Sequence, residues 1–175
     1  MHGSFVINVD NRSELTGDAD YVFVGKVISM NDTIYKDPVA GEDERGKPIE
    51  LASPYTNYTV NVLKNIKGEL VTDKDIPIQK SGGIAEDQSQ YFLYEKDQLP
   101  VEGNVYIFYS YAQPDGSLLV SGPNSNRKID SLEKNLNSSS DIEETEEYKE
   151  AVEGYKTQVV RDRERNTSSY DANRK

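Results

Sequence analysis

Apolar side chains recur at every second position along the body of this chain. From Thr56 to Ile66, residues Tyr58, Val60, Val62 and Ile66 fall on one side and Thr59, Asn61 and Asn65 on the other. A strand with one face on a core and the other in water has this period. Asn104 to Ala112 repeats it, with Val105, Ile107, Tyr109 and Tyr111 on one face. Tyr21 to Met30 is instead nearly continuous in apolar residues, as in a strand buried on both faces. Gly25 interrupts it and marks a bulge or sharp bend, which would let one strand serve two sheets. Three shorter strands are expected. One holds Ile76 and Ile78 around Pro77 and so lies at an edge; the others are Tyr91–Tyr94 and Ser117–Ser121. The turn signal Gln113-Pro114-Asp115-Gly116 makes the last of these a hairpin partner of 104–112. Ser81-Gly82-Gly83 reads as a loop. Asn11-Arg12-Ser13-Glu14 reads as a capping box opening one helical turn that runs to about Gly17. Five or six strands, little helix and no alternation of strand with helix imply a mainly β fold, a small antiparallel barrel or sandwich.

Beyond Ile129 the pattern changes, and a boundary is expected near residue 130. The body, 1–130, holds most of the apolar residues. Residues 131–165 read as a polar linker and an amphipathic helix. Ser140-Asp141-Ile142-Glu143 resembles a capping box, and Tyr148, Val152, Tyr155 and Val159 follow helical spacing over 141–165. Acidic residues crowd the start of this helix and basic ones its end, as the macrodipole favours. Gly154 costs a helix about 1 kcal/mol against Ala, so the helix is expected to lie on a surface. Residues 166–175 are expected to be a disordered tail.

The rarer residues limit the chemistry. Cys is absent and His2 is the single histidine. Disulfides, cysteine metal centres and Cys or His nucleophile–base pairs are therefore out of reach. The acidic clusters Glu42–Glu44 and Glu143–Glu147 are runs of neighbours, whereas acid–base catalysis wants carboxylates across a pocket. Both read as solvated. The span 37–50 lacks the ligand spacing of a calcium loop. Lys64, Lys67 and Lys74, the local basic group of the body, read as a solvated strand end. The tyrosines of the body read as core and rim residues. No cofactor or metal is expected, and the chain is expected to be non-catalytic, a metal-assisted hydrolase being the weaker reading. Lys and Arg number 20 against 31 Asp and Glu, a net charge of −11. That charge disfavours nucleic acid and anionic membrane surfaces and favours a neutral or basic partner. No apolar run is long enough to span a membrane.

The polar stretch from Asn31 to Pro54 is either a long loop or an extended hairpin, and connections of this length are often functional. Its expected partner-contact residues are Tyr35, Asp37, Glu42, Asp43, Glu44 and Arg45.

A short capped segment precedes the strand Asp20-Tyr21-Val22-Phe23-Val24-Gly25-Lys26-Val27. A long polar connection then leads to Tyr58-Thr59-Val60-Asn61-Val62-Leu63-Lys64-Asn65-Ile66-Lys67-Gly68. Across about residues 10–125 this order resembles the N-terminal domain of tissue inhibitors of metalloproteinases and the related netrin-like modules. The later strand Tyr106-Ile107-Phe108-Tyr109 and the Asp115-Gly116 hairpin are similar too. The resemblance implies an OB-type barrel of five to six strands with a short N-terminal helix and a C-terminal helix. It implies a secreted or cell-surface location, outside the cytoplasm, with a signal peptide already removed. It also implies that the first long connection is a contact surface. In the eukaryotic inhibitors an N-terminal Cys chelates the protease zinc. This chain has no Cys, so no inhibitory residue is carried over. The function expected is a protein-binding module of unknown ligand, an inhibitor lacking the Cys wedge being the alternative.

Overall fold

The computed structural model describes residues 7–42, 45–72, 74–84, 91–93, 96–130 and 139–173. In chain order the elements are α1 (Arg12–Asp18), β1 (Tyr21–Glu42), β2 (Pro48–Lys67), β3 (Asp75–Ser81), β4 (Gly83–Ile84) and β5 (Tyr91–Phe92). There follow β6 (Val105–Ala112), β7 (Leu118–Val120), β8 (Asn126–Lys128), α2 (Ser139–Glu143) and α3 (Glu146–Lys156). The fold is mainly β, with one six-stranded sheet in the order β1-β2-β3-β7-β6-β8 and a further pairing of β1 with β6. All pairings in it are antiparallel except β3 with β7.

β1 carries the architecture. Tyr21–Lys26 pair with β6 on one side, while β2 pairs with β1 from Val22 to Glu42 on the other. The register shifts between Val24 and Gly25, where the bend was expected. A Cβ on Gly25 would sit 2.4 Å from Val60 Cγ1 and close to the rings of Phe23 and Phe108, so only glycine fits without repacking. Both faces of β1 are covered from Tyr21 to Val27, which is why that part of its sequence is continuously apolar, whereas Ile28 and Met30, expected to be buried with it, are exposed. Tyr21 and Phe23 join Val60, Ile78, Phe108 and Leu118 in one core. Val22 and Val24 join Leu15, Ile107, Tyr109, Ile142 and Ala151 in a second core beneath the helices. Phe23 and Phe108 stack with ring centroids 5.3 Å apart.

α1 begins where the cap predicts. Asn11 accepts the Glu14 amide at 3.1 Å. The C-terminal helix differs from expectation. It is two helices, broken at Glu144–Thr145, where the Thr145 side chain caps α3 by accepting the Tyr148 amide. α3 stops at Lys156 rather than near 165, with Thr157 as its C-cap. Its buried face is Glu147, Ala151 and Gly154. Gly154 faces Arg12 of α1, where a Cβ would meet Arg12 Cγ at 2.8 Å. The glycine thus trades helix propensity for a close helix–helix approach.

Three further expectations are corrected. Ser81 and Gly83 belong to strands, Ser81 ending β3 and Gly83 opening β4, with Gly82 and Gly83 both at positive φ between the two sheets. The strand at Tyr91 is only two residues long and pairs with β4 outside the main sheet. Residues 166–173 are tied down rather than disordered: Ser168 is fully buried, Tyr170 packs on the first core, and Val71 and Ala172 donate backbone bonds across to Tyr170 and Glu69. A tail is cheap to predict as disordered because its composition is polar, but its polar groups have partners waiting on the body. β3 is both edge and interior. Pro77 faces Thr59 of β2, while β7 reaches only Gln79 and Lys80 on the other side, so the proline sits where no ladder bond is needed.

Candidate functional site

The first candidate is the stretch from Asn31 to Pro54, which is an extended hairpin. β1 and β2 stay paired out to Glu42 opposite Pro48. β6 leaves β1 after Lys26, and β3 leaves β2 after Thr56. Gly82 still bridges Tyr55 and donates to the Pro54 carbonyl, so the two-stranded arm begins outward of Lys36 and Ser53. The register shifts once inward of the arm, between Met30 and Thr33, and again within it, between Lys36 and Val39. Such bulges add twist and protect an edge against indiscriminate strand pairing. Lys36 pins the arm's base, donating to Gln79 Oε1 at 2.6 Å with its ammonium 4.9 Å from the centre of the Tyr55 ring.

The expected contact residues distribute along this arm rather than converging. Tyr35 is half-buried at the base, its hydroxyl donating to the Ile84 carbonyl at 3.0 Å, so it secures the arm to β4. Asp37 lies on β1 within the second register shift, between Lys36 and Val39. Glu42 ends β1 and is exposed; Arg45 is exposed in the turn. Asp43 and Glu44 lie outside the described residues.

The second candidate is a polar cleft of about 280 Å³. Among the described residues it is lined by Lys96, Asp97, Gln98, Asn124, Asn126, Arg127, Lys128, Asp130 and Glu147. Of these the sequence draws attention only to Glu147, as part of an acidic run read as solvated. Its floor is a buried ion pair. β3 turns Ile76, Ile78 and Lys80 to the same interior face, so a lysine occupies a position where alternation calls for an apolar residue. Lys80 is fully buried and donates to Asp97 Oδ1 and to Ser125 Oγ, both at 2.8 Å. Burial pushes the lysine's pKa down and the carboxyl's up, and each charge resists the other's shift. The Ser125 hydroxyl in turn donates to the Gly122 carbonyl at 2.5 Å. A serine beside a lysine suggests a nucleophile and its base. Here Lys80 donates to both Asp97 and Ser125, and the serine proton goes to the Gly122 carbonyl, so the trio ties the loop 121–126 to β3.

Two walls of the cleft are held in an unusual backbone conformation. Lys96 and Asn124, both at φ +65°, are the only non-glycine residues with positive φ among those described. Asn tolerates that region; Lys does so at a cost, and such positions gather at functional sites. The Asn124 amide donates to Val9 O and Asp10 Oδ1, which fastens the loop to the N-terminal segment.

The remaining charge cluster is structural. Asp18 and Asp20, nearly buried at the end of α1, are met by three alternating arginines of the segment after α3. Arg161 Nε reaches Asp18 Oδ1 at 2.7 Å, and Arg163 and Arg165 reach Asp20 Oδ1 at 2.9 and 3.1 Å. Arg165 also donates to the carbonyls of Gly17, Asp18 and Ala19, satisfying the end of the helix. Lys67 donates to Thr16 O at 2.8 Å, and burial and the Arg165 charge bring it down to about 8. Lys64 pairs with Glu143, and Glu147 accepts the Asp130 amide at 2.7 Å. The residues expected to be a solvated strand end and a solvated acidic run are thus partly consumed in joining body to tail.

Among the described residues no group of three or more His, Cys, Asp or Glu is placed to hold a metal ion, and no helix is long and apolar enough to cross a membrane. No protein-family model matches the chain, and no curated protein matches it.

Proposed function

We propose that this protein is a non-catalytic binding module, exported or displayed at the cell surface, which contacts a protein partner through the arm of its first hairpin. The sheet is an OB-type barrel in this reading. Its support is the order of pairing: β1 with β2, β2 with β3, β3 in parallel with β7, β7 with β6, and β6 back to β1. A run of five strands whose pairings return to the first leaves few free edges, as barrels do. The observation that carries the functional reading is the arm. Among the described side chains, the strand pairs from Lys36–Ser53 out to Glu42–Pro48 contribute none to either core, yet the two strands stay paired to the tip. An element that adds little to the core is retained for contact. The net charge of −11 favours a neutral or basic partner.

The test is capture from a cell-surface extract by the full chain and by a form in which residues 37–51 are replaced by a short turn. Loss of capture by the shortened form is expected. Equal capture by both would remove the arm from the mechanism.

A further inference from the structure

The cleft beside β8 is a site in its own right, and its chemistry selects a ligand class independently of the arm. Its lining offers three cationic side chains, Lys96, Arg127 and Lys128, and three acidic ones, Asp97, Asp130 and Glu147. Several are already engaged: Arg127 with Glu150 at 2.7 Å, Lys128 with Asp130 at 3.5 Å, and Asp97 through Oδ1 with Lys80, its Oδ2 being buried without a hydrogen-bond partner among the described residues. A phosphate entering here would meet three carboxylates, and a simple cation would meet three positive heads. What the balance leaves is that second oxygen of Asp97 and the neutral polar surface of Gln98, Asn124 and Asn126.

Asn126 gives the direction of the missing contact. It is 8 % exposed. Its Nδ2 donates to the Gln98 carbonyl at 3.2 Å, which sets the orientation of the amide. The opposite atom, Oδ1, is buried and has no hydrogen-bond partner among the described residues. An unsatisfied buried acceptor is costly, and a donor that reached it would be rewarded accordingly. The walls are pre-set for this: the loop is locked by the Lys80–Ser125 bond, and Asn124 and Lys96 are held at positive φ. A fixed wall lowers the ordering cost of binding.

We propose that this cleft binds a neutral, hydroxyl-rich small molecule of about monosaccharide size, with one hydroxyl donating to Asn126 Oδ1 and others meeting the amides of Gln98 and Asn124. The volume of about 280 Å³ suits a ligand at the small end of the usual pocket range. A lining of amides and paired charges without an open apolar floor suits a ligand that is polar on every side.

The full chain, labelled with ¹⁵N, is titrated with glucose, galactose, mannose and N-acetylglucosamine, and separately with inorganic phosphate and methylammonium. At least one sugar is expected to give saturable shifts at the Asn126 side-chain amide and at Gln98 and Arg127, with neither ion doing so. Asn126→Ala is expected to weaken that sugar about five- to tenfold, the worth of one hydrogen bond. Gln98→Ala changes only an exposed side chain and keeps the carbonyl that Asn126 uses, so it reads the same wall without touching the fold. A loss of about threefold is expected there. The proposal is overturned if no sugar saturates, if phosphate or methylammonium produces the shifts instead, or if both variants bind the sugar as the parent does.

Discussion

At the residue scale, the buried Lys80–Asp97 pair is the most consequential departure from an apolar interior. An ion pair taken out of water gives little net stability, but breaking it strands a buried charge. Lys80→Ala is therefore expected to cost about 3–5 kcal/mol in denaturant unfolding. The double change Lys80→Met with Asp97→Leu should cost much less, because no charge is left behind. If the single and double variants unfolded alike, the pair's role here would be refuted. Two other residues give the pH dependence its ends. Burial alone would raise Asp18, but hydrogen bonds from Arg161 and Tyr111 and the charges of Arg161 and Arg163 bring it below the ordinary aspartate value. Its contribution is present above that value and is lost as the pH falls through the lower folded value. Burial and the bond to Asp171 push Tyr21 up to about 12. Being a raised acid, it contributes stability below pH 10 that is lost as the pH rises toward 12. Melting temperature followed across pH should fall at both ends, and the alkaline fall should coincide with phenolate absorbance. An Asp171→Asn variant should shift the alkaline limb to lower pH; an unmoved limb would detach Tyr21 from it.

At the element scale, glycines mark where backbones meet. A Cβ on Gly17 would lie 1.9 Å from the carbonyl oxygen of Val159, a backbone atom with nowhere to go. On Gly154 the obstacle is the flexible Arg12 side chain at 2.8 Å. Gly17→Ala is expected to destabilise by several kcal/mol and Gly154→Ala by about 1 kcal/mol or less, since helix propensity offsets part of the clash. Thermal unfolding of the two variants measures this, and equal losses would contradict the packing described. The same scale shows what was legible in the sequence. β1, β2, β6 and the β6–β7 hairpin could be read because their apolar periods are strong, as could Gly25 and the Asn11 cap. The break at Thr145 and the ordered segment 157–173 could not. Tyr148 to Val159 keeps helical spacing whether or not the helix continues, and Arg161, Arg163 and Arg165 look like a solvated tail until their partners at Asp18 and Asp20 are in place. Lys80 did carry a signal, since it continues the inward alternation of Ile76 and Ile78. The cleft it supports had none, because its lining comes from three distant stretches of chain.

At the scale of the whole molecule, charge and shape divide the labour. The basic half of the C-terminal segment is spent on Asp18 and Asp20 and does not offset the acidic surface elsewhere. The long hairpin leaves the sheet beyond Lys36 and Ser53, and none of its described side chains beyond that point belongs to either core. Stability and contact are therefore separable. The most direct test compares the full chain with the form in which residues 37–51 are replaced by a short turn, measuring melting temperature and partner capture on the same samples. An unchanged melting temperature with capture lost is the predicted result. Capture retained by the shortened form, or a collapse of its stability, would contradict the account.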